Sequence, residues 1–202
     1  LIFSDSVFRK PLLKRKDDQR IRQKFDAIIE GIRHIDQLIP PGQPLQFVVG
    51  LSGGIDSAVV ASLLTISCGK ENVHAVNMPS HFNSEKTMKT AQEIANRLGI
   101  GYLIIPIDPF SDQNKKLFAG LDKRYSPSEQ IRELSEENIQ AKVRGTNILS
   151  TLAGRYGRIL TNNGNKLEIA LGYATLYGDV NGALAPIGDL TKTEVYELGK
   201  FL

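Results

Sequence analysis

The chain predicts an α/β fold, a doubly wound parallel sheet with helices on both faces, on three observations. From residue 46 onward, strand-like and helical patterns alternate, the order that right-handed crossovers wind into a parallel sheet. The apolar run Phe47-Val48-Val49 passes straight into a glycine-rich turn and then into the apolar segment Ala58 to Leu64, as a strand covered on both faces and its following helix would. A second glycine turn, residues 162–166, also follows a strand-like run, and ligands of such sheets bind at the carboxyl ends of strands where the chain order switches.

Ahead of the sheet, Ile21, Phe25, Ile28, Ile32 and Ile35 repeat at helical spacing over residues 17–38, and Pro40-Pro41-Gly42 closes that helix. Strands are expected near 46–50, 73–78, 102–107 and 158–161, and helices over 56–68, 84–98 and roughly 135–156. Residues 108–135 are the least regular stretch, and Ser126-Pro127 marks them as a surface excursion. No repeat or low-complexity tract divides the chain, so residues 1–202 read as one domain, with 1–16 a linker or arm and 17–202 the core.

At 202 residues, 41% hydrophobic and 23% charged, the chain has the composition of a soluble domain able to bury a substantial core. No apolar run approaches the ~20 residues a membrane-spanning helix needs, and Leu1 to Lys10 lacks the order of a signal peptide, so a cytoplasmic location without membrane contact is expected. The one cysteine, Cys68, excludes an internal disulfide and a cysteine-ligated metal cluster. A net charge of +3 does not argue for nucleic acid; the basic stretch Arg9 to Lys24 has no interleaved aromatics and reads as a solvated face. His34, His74 and His81 are scattered, and no Ser-His-Asp or Cys-His set stands out.

The first glycine turn carries the chemistry. In Gly50-Leu51-Ser52-Gly53-Gly54-Ile55-Asp56-Ser57, the glycines let backbone approach an anion, the peptide N–H groups and helix N-terminus supply partial positive charge, and the serine hydroxyls donate hydrogen bonds. Neither the Walker A spacing nor the dinucleotide fingerprint occurs. Where a phosphate lysine would stand there is Asp56, which repels phosphates unless a divalent cation lies between them; Mg2+ is the expected ion. A plain strand-turn-helix, with glycines used only for the bend, is the alternative.

The S-G-G-x-D-S string resembles the pyrophosphatase loop of the N-type ATP pyrophosphatases, a superfamily holding NAD, GMP and asparagine synthetases and tRNA-thiolating enzymes. A second block selects among them. Gly164-Asn165-Lys166 with Glu168, Leu171-Gly172-Tyr173, Tyr177-Gly178-Asp179, Pro186-Ile187-Gly188-Asp189-Leu190 and Lys192-Thr193, together with Met78-Pro79-Ser80 and Glu136 to Ala141, closely resemble the synthetase domain of glutamine-dependent NAD synthetases. That resemblance implies an adenine nucleotide alpha hydrolase-like, Rossmann-like fold and a ligase that amidates deamido-NAD to NAD with ATP and ammonia. The nicotinate carboxylate attacks the α-phosphorus, pyrophosphate departs, and ammonia displaces AMP from the acyl adenylate.

The resemblance also implies roles. Asp56 and Glu168 hold Mg2+; Gly50 to Ser57, Asn163 and Lys192 bind ATP; Asn138, Lys142, Arg144, Glu168 and Asp179 bind deamido-NAD. Asp56, Glu168 and Lys192 are the expected catalytic set. Three positions depart from the family pattern: Lys142 and His81 stand where arginine is common, and Asn163 where threonine is usual. The resemblance further implies a homodimer. Nothing in the first 45 residues resembles a glutaminase domain, and the sequence ends at Leu202 before the C-terminal helices and second substrate loop of the family, so a fragment is expected. A tRNA-modifying adenylating enzyme with the same loop, and a non-catalytic nucleotide-binding fragment, are the alternative readings.

Overall fold

The computed structural model describes residues 16–39, 42–81 and 83–202, so the Pro40-Pro41 stop and all of the arm expected over 1–16 except Lys16, which opens the first helix, lie outside the described residues. Helix α1 (Lys16–Asp36) buries Ile21, Ile29 and Ile32, three positions of one apolar stripe. Strand β1 (Phe47–Gly50) pairs in parallel with β2 (Val73–Asn77) on one side and with β4 (Ile159–Leu160) on the other, and β3 (Gly101–Ile104) adds to β2. The order β3-β2-β1-β4 makes the chain step outward from β1 and then return beside it, so a switch point lies between β1 and β4.

Side chains alternate across this sheet and build a core on each face. Phe47, Val49, Val73 and Ala75 join the larger cluster with residues of α1, of α2 (Ile55–Cys68), of α3 (Glu85–Leu98) and of α8 (Lys192–Phe201). Val48, Val76 and Leu160 face the opposite side and pack on Val143, Ile148, Leu149 and Ala153. Helix α2 is buried almost continuously from Ile55 to Leu64 because α1, α3, α8 and the sheet surround it, which explains why its sequence is apolar without a polar face.

Two expectations need correction. Residues 108–135 are mostly helical: α4 spans Asp108–Tyr125 and α5 spans Glu129–Lys142, with Ser126 and Pro127 in the short turn between them and Ser128 as the α5 N-cap. Leu117, Phe118 and Leu121 stay exposed, so no buried face imposes the periodicity that would have revealed α4. The helix expected over 135–156 is three segments: α5, a π-helical stretch Val143–Ser150, and α6 (Thr151–Tyr156). Helix α7 (Lys166–Leu171) follows β4.

Helix α8 is tied to α1 by charge. Glu194, 7% exposed, accepts on Oε1 from Arg20 Nη2 and Lys24 Nζ, each at 2.5 Å. The Lys24 ammonium, with the backbone N–H of Thr191 and then Arg20, pulls the Glu194 carboxyl down to about 2. A carboxylate whose pKa is depressed by folding contributes stability above its unfolded value and loses it as pH falls through the folded one. Glu194→Gln is therefore expected to lower urea stability at pH 6 by on the order of 2 kcal/mol, after allowing for the exposure of Arg20 and Lys24. The gap from the parent closes between about pH 4.5 and 2, and a gap that stays constant across that window would refute the tie.

Candidate functional site

A cleft of about 510 Å³ opens at the carboxyl ends of β1, β2 and β4, at the switch point. Gly50, Leu51, Ser52, Asp56 and Ser57 line it from the first glycine turn, Asn163, Gly164 and Glu168 from the second turn and the helix after it, Arg144 from the π-helical stretch and Asp179 from the segment 172–182. The first turn is braced internally. Ser57 Oγ donates to the Gly54 carbonyl at 3.0 Å and accepts from the Ser52 N–H at 3.3 Å, while Gly54 N–H donates to Ser52 Oγ at 3.3 Å. No side chain caps the N-terminus of α2, so its first peptide N–H groups are available to an anion.

Gly53 is required for packing as much as for phosphate approach. Its φ is +87°, and a Cβ there would overlap the Thr87 carbonyl of α3. Gly53, Gly54 and Ile55 line the other side of the turn, away from the cleft. Leu51 contributes backbone rather than side chain, since it is buried and its N–H donates to the Val76 carbonyl at 2.9 Å.

Asp56 is the point where the elements meet. Its Oδ2 pairs with Lys192 Nζ at 2.5 Å, and its Oδ1 accepts from Asn165 Nδ2 at 3.0 Å. Asn165, fully buried, caps α7: its Oδ1 accepts from the N–H groups of Leu167 and Glu168, and its own N–H donates to Glu168 Oε2 at 3.0 Å. One asparagine thus contacts both carboxylates of the site. Asn163 donates Nδ2 to the Gly50 carbonyl at 2.7 Å, joining the two glycine turns, so its amide is committed to the frame.

Lys192 is absent from the cleft lining and reaches the site through Asp56; its ammonium also lies 6.0 Å from the Tyr196 ring centroid. Arg144 donates Nε to the Met78 carbonyl at 3.2 Å. Burial lowers its pKa from the usual arginine range, and Asp179 and Asp108 oppose that shift. Lys142 is exposed and outside the lining, so of the expected cationic pair only Arg144 enters the cleft. Asn138 is likewise outside the lining, accepting from Thr175 Oγ1 at 2.7 Å. His81 pairs through Nδ1 with Asp108 Oδ1 at 2.9 Å. In the basic stretch, Arg20 and Lys24 are engaged by Glu194 and Arg22 by Asp26.

Sequence reading did not assign Asn165 a role, although Asn-x-x-Glu over 165–168 is a capping-box signature that places a helix start there. It also passed over Asn77, buried on β2, whose Nδ2 donates to the Leu51 carbonyl at 2.7 Å and holds the start of the turn. The segment 172–182, which carries Asp179, is strapped to the π-helical stretch: Thr146 Oγ1 donates to the Tyr177 carbonyl, and Gly145 and Gly178 approach without room for a side chain.

Among the described residues no group of three or more His, Cys, Asp or Glu is placed to hold a metal. Asp56 and Glu168 nevertheless present two carboxylates to one cleft, which with phosphate oxygens and water is the donor set that Mg2+ takes beside a nucleotide. The residues therefore fit a nucleotide-bound ion rather than a protein-only cage. No described helix is long and apolar enough to cross a membrane.

Comparison with known proteins adds three findings. A family model described as NAD synthase matches residues 32–202. Glutamine-dependent NAD(+) synthetase of Thermotoga maritima is 41% identical over 186 residues, covering 90% of this chain and 30% of that protein. Two solved structures are similar: glutamine-dependent NAD+ synthetase from Acinetobacter baumannii in complex with ADP (TM-score 0.81, 32% identity, 95% of this chain and 34% of that one), and NH3-dependent NAD synthetase from Campylobacter jejuni in complex with nitrate (TM-score 0.74, 30% identity, 90% and 72%). The chain spans about 30% of the length of the Thermotoga maritima relative.

Proposed function

Because the chain belongs to the NAD synthase family, we propose that it uses ATP to amidate deamido-NAD to NAD, releasing AMP and pyrophosphate, with residues 17–202 acting as one catalytic domain in the cytoplasm. The observation that carries this reading is the convergence of Asp56 and Glu168 on one cleft, with Asn165 touching both and Lys192 paired to Asp56. The ADP complex of the Acinetobacter baumannii relative supports ATP as the nucleotide, and the NH3-dependent relative supports ammonia as the nitrogen donor.

In this reading, Ser52, Ser57 and the N-terminal N–H groups of α2 hold phosphate oxygens, and Lys192 adds a point charge. Magnesium held by Asp56 and Glu168 would neutralise charge on the phosphates. Arg144 and Asp179, which line the same cleft, orient the second substrate so that its carboxylate faces the α-phosphorus, with Asn138 and exposed Lys142 acting from outside the lining. A carboxylate oxygen bonds to that phosphorus as pyrophosphate leaves; ammonia then bonds to the acyl carbon, the carbon–oxygen bond to AMP breaks, and a proton passes to water. Alignment and charge stabilisation suffice without a covalent protein intermediate.

The test is to incubate the chain with ATP, Mg2+, deamido-NAD and ammonium and follow AMP, pyrophosphate and NAD together. Equal amounts of NAD and AMP are expected. Specific ATP binding without NAD would instead support a nucleotide-binding fragment, and salt-sensitive tRNA binding the adenylating alternative.

A homodimer belongs to the same proposal. Leu117, Phe118, Leu121 and Tyr125 of α4 with Ile131 and Leu134 of α5 leave an exposed apolar face that a second copy would cover. Sedimentation is expected to give twice the chain mass, and Leu117→Glu to shift it toward the monomer; a monomeric parent would overturn this.

A further inference from the structure

We propose that Glu194, anchored by Arg20 and Lys24, is a positioning residue that sets Lys192 against Asp56. The proposal rests on the nucleotide reading above for its functional consequence, and on geometry alone for its structural part. Glu194 is buried, lies outside the cleft lining, and spends its two oxygens on different partners. Oε2 accepts from the Thr191 N–H at 2.9 Å, and the Thr191 hydroxyl accepts in turn from the Glu194 N–H at 3.4 Å, closing the capping box of α8. Oε1 takes Arg20 and Lys24 from α1.

Lys192 is the first residue of α8, inside that box. Its backbone is fixed by the cap and its cap is fixed to α1, so the long lysine side chain starts from a defined point. The same turn holds the second carboxylate's helix, because the Lys166 N–H donates to the Leu190 carbonyl at 2.9 Å at the start of α7. A charged, buried acid whose partners among the described residues are a helix start and two cations of another helix, and which lies outside the cleft lining, has no direct access to substrate. Its effect on chemistry passes through Lys192.

Glu194→Gln separates the two functions of the side chain, since glutamine also closes a capping box but gives up the charge that holds Arg20 and Lys24. In the full chain, at a temperature where the variant is fully folded by circular dichroism, kcat/KM for ATP is expected to fall about tenfold, most of it in kcat. In the Lys192→Ala background the same change is expected to have no further effect, because the residue through which it acts is gone. A purely structural role would lower activity by the same factor in both backgrounds, and that result would overturn the proposal.

A second measurement does not depend on ATP. Competitive acetylation with mass spectrometry reads how far Lys192 is held in its ion pair: its labelling rate is expected to rise severalfold in Glu194→Gln and in an Arg20→Ala/Lys24→Ala double variant. The rate at Lys89, exposed on α3, should remain unchanged. An unaltered Lys192 rate sinks the positioning role even if the chain proves an active synthetase. A raised rate in a chain that binds no ATP upholds the geometry and sinks only the functional reading.

Discussion

Asp56→Asn is expected to reverse the effect of magnesium on ATP binding. If the cleft takes triphosphate as proposed, the Asp56 carboxylate that lines it disfavours the anion until a divalent cation stands between them. Without metal, the amide removes that repulsion and releases Lys192 from its 2.5 Å pair, so the variant should bind ATP at least as tightly as the parent in EDTA. With Mg2+ the order inverts, because the variant has lost one of the two carboxylates able to hold the ion. Turnover is expected to fall on the order of 10³-fold, the size seen when one preorganised charge-stabilising group is removed. Calorimetric titrations with and without EDTA read the inversion. Equal Mg2+ dependence in parent and variant would remove Asp56 from metal binding.

Gly145→Ala is expected to be the most damaging methyl addition at the cleft. The new Cβ would overlap the Gly178 carbonyl, and Gly178 in turn has Ala141 against it, so the π-helical stretch and the segment 172–182 cannot keep their present contact unstrained. A loss of roughly 2–3 kcal/mol follows if the contact is strained but kept. If the segment swings away instead, stability is spared and the KM for deamido-NAD rises, since Asp179 leaves with it. Gly154→Ala is the matched control with the opposite sign: nothing lies within 4 Å of its Cβ position on α6, and alanine should stabilise by about 0.5–1 kcal/mol. Thermal denaturation and substrate titration of both variants check the pair. A Gly145→Ala protein with parental stability and parental KM would show that the close approach has no consequence.

The centre of the sheet was legible because β1 and β2 are buried almost throughout, whereas β3 at the edge is largely exposed. Phe47 to Val49 and Ala58 to Leu64 announce burial directly, and the glycine turns mark the strand ends that face ligand. Helix α4 was hidden for the opposite reason: its apolar residues face outward, and an unburied helix need not show a clean period. The change of pitch at Val143–Ser150 has no composition signal, since a π-helical stretch is selected by what it packs against, here Gly178 and its segment. In the site, resemblance named Asp56, Glu168 and Lys192 individually. It could not give the buried Asn165 that joins the two carboxylates, because that role exists only when residues 56, 165 and 168 meet.

The pair of Asp56 and Lys192 spans 136 residues, which orders events during synthesis of the chain. The first glycine turn is made 136 residues before the lysine that pairs with its carboxylate, which emerges only with α8. Contacts of such long sequence separation form late and slowly. Until α8 docks on α1 and α2, the turn's carboxylate is without that partner, so in the proposed reading the phosphate site is completed in a late step of folding. A nucleotide that binds the finished site as proposed would then stabilise only chains in which α8 has docked.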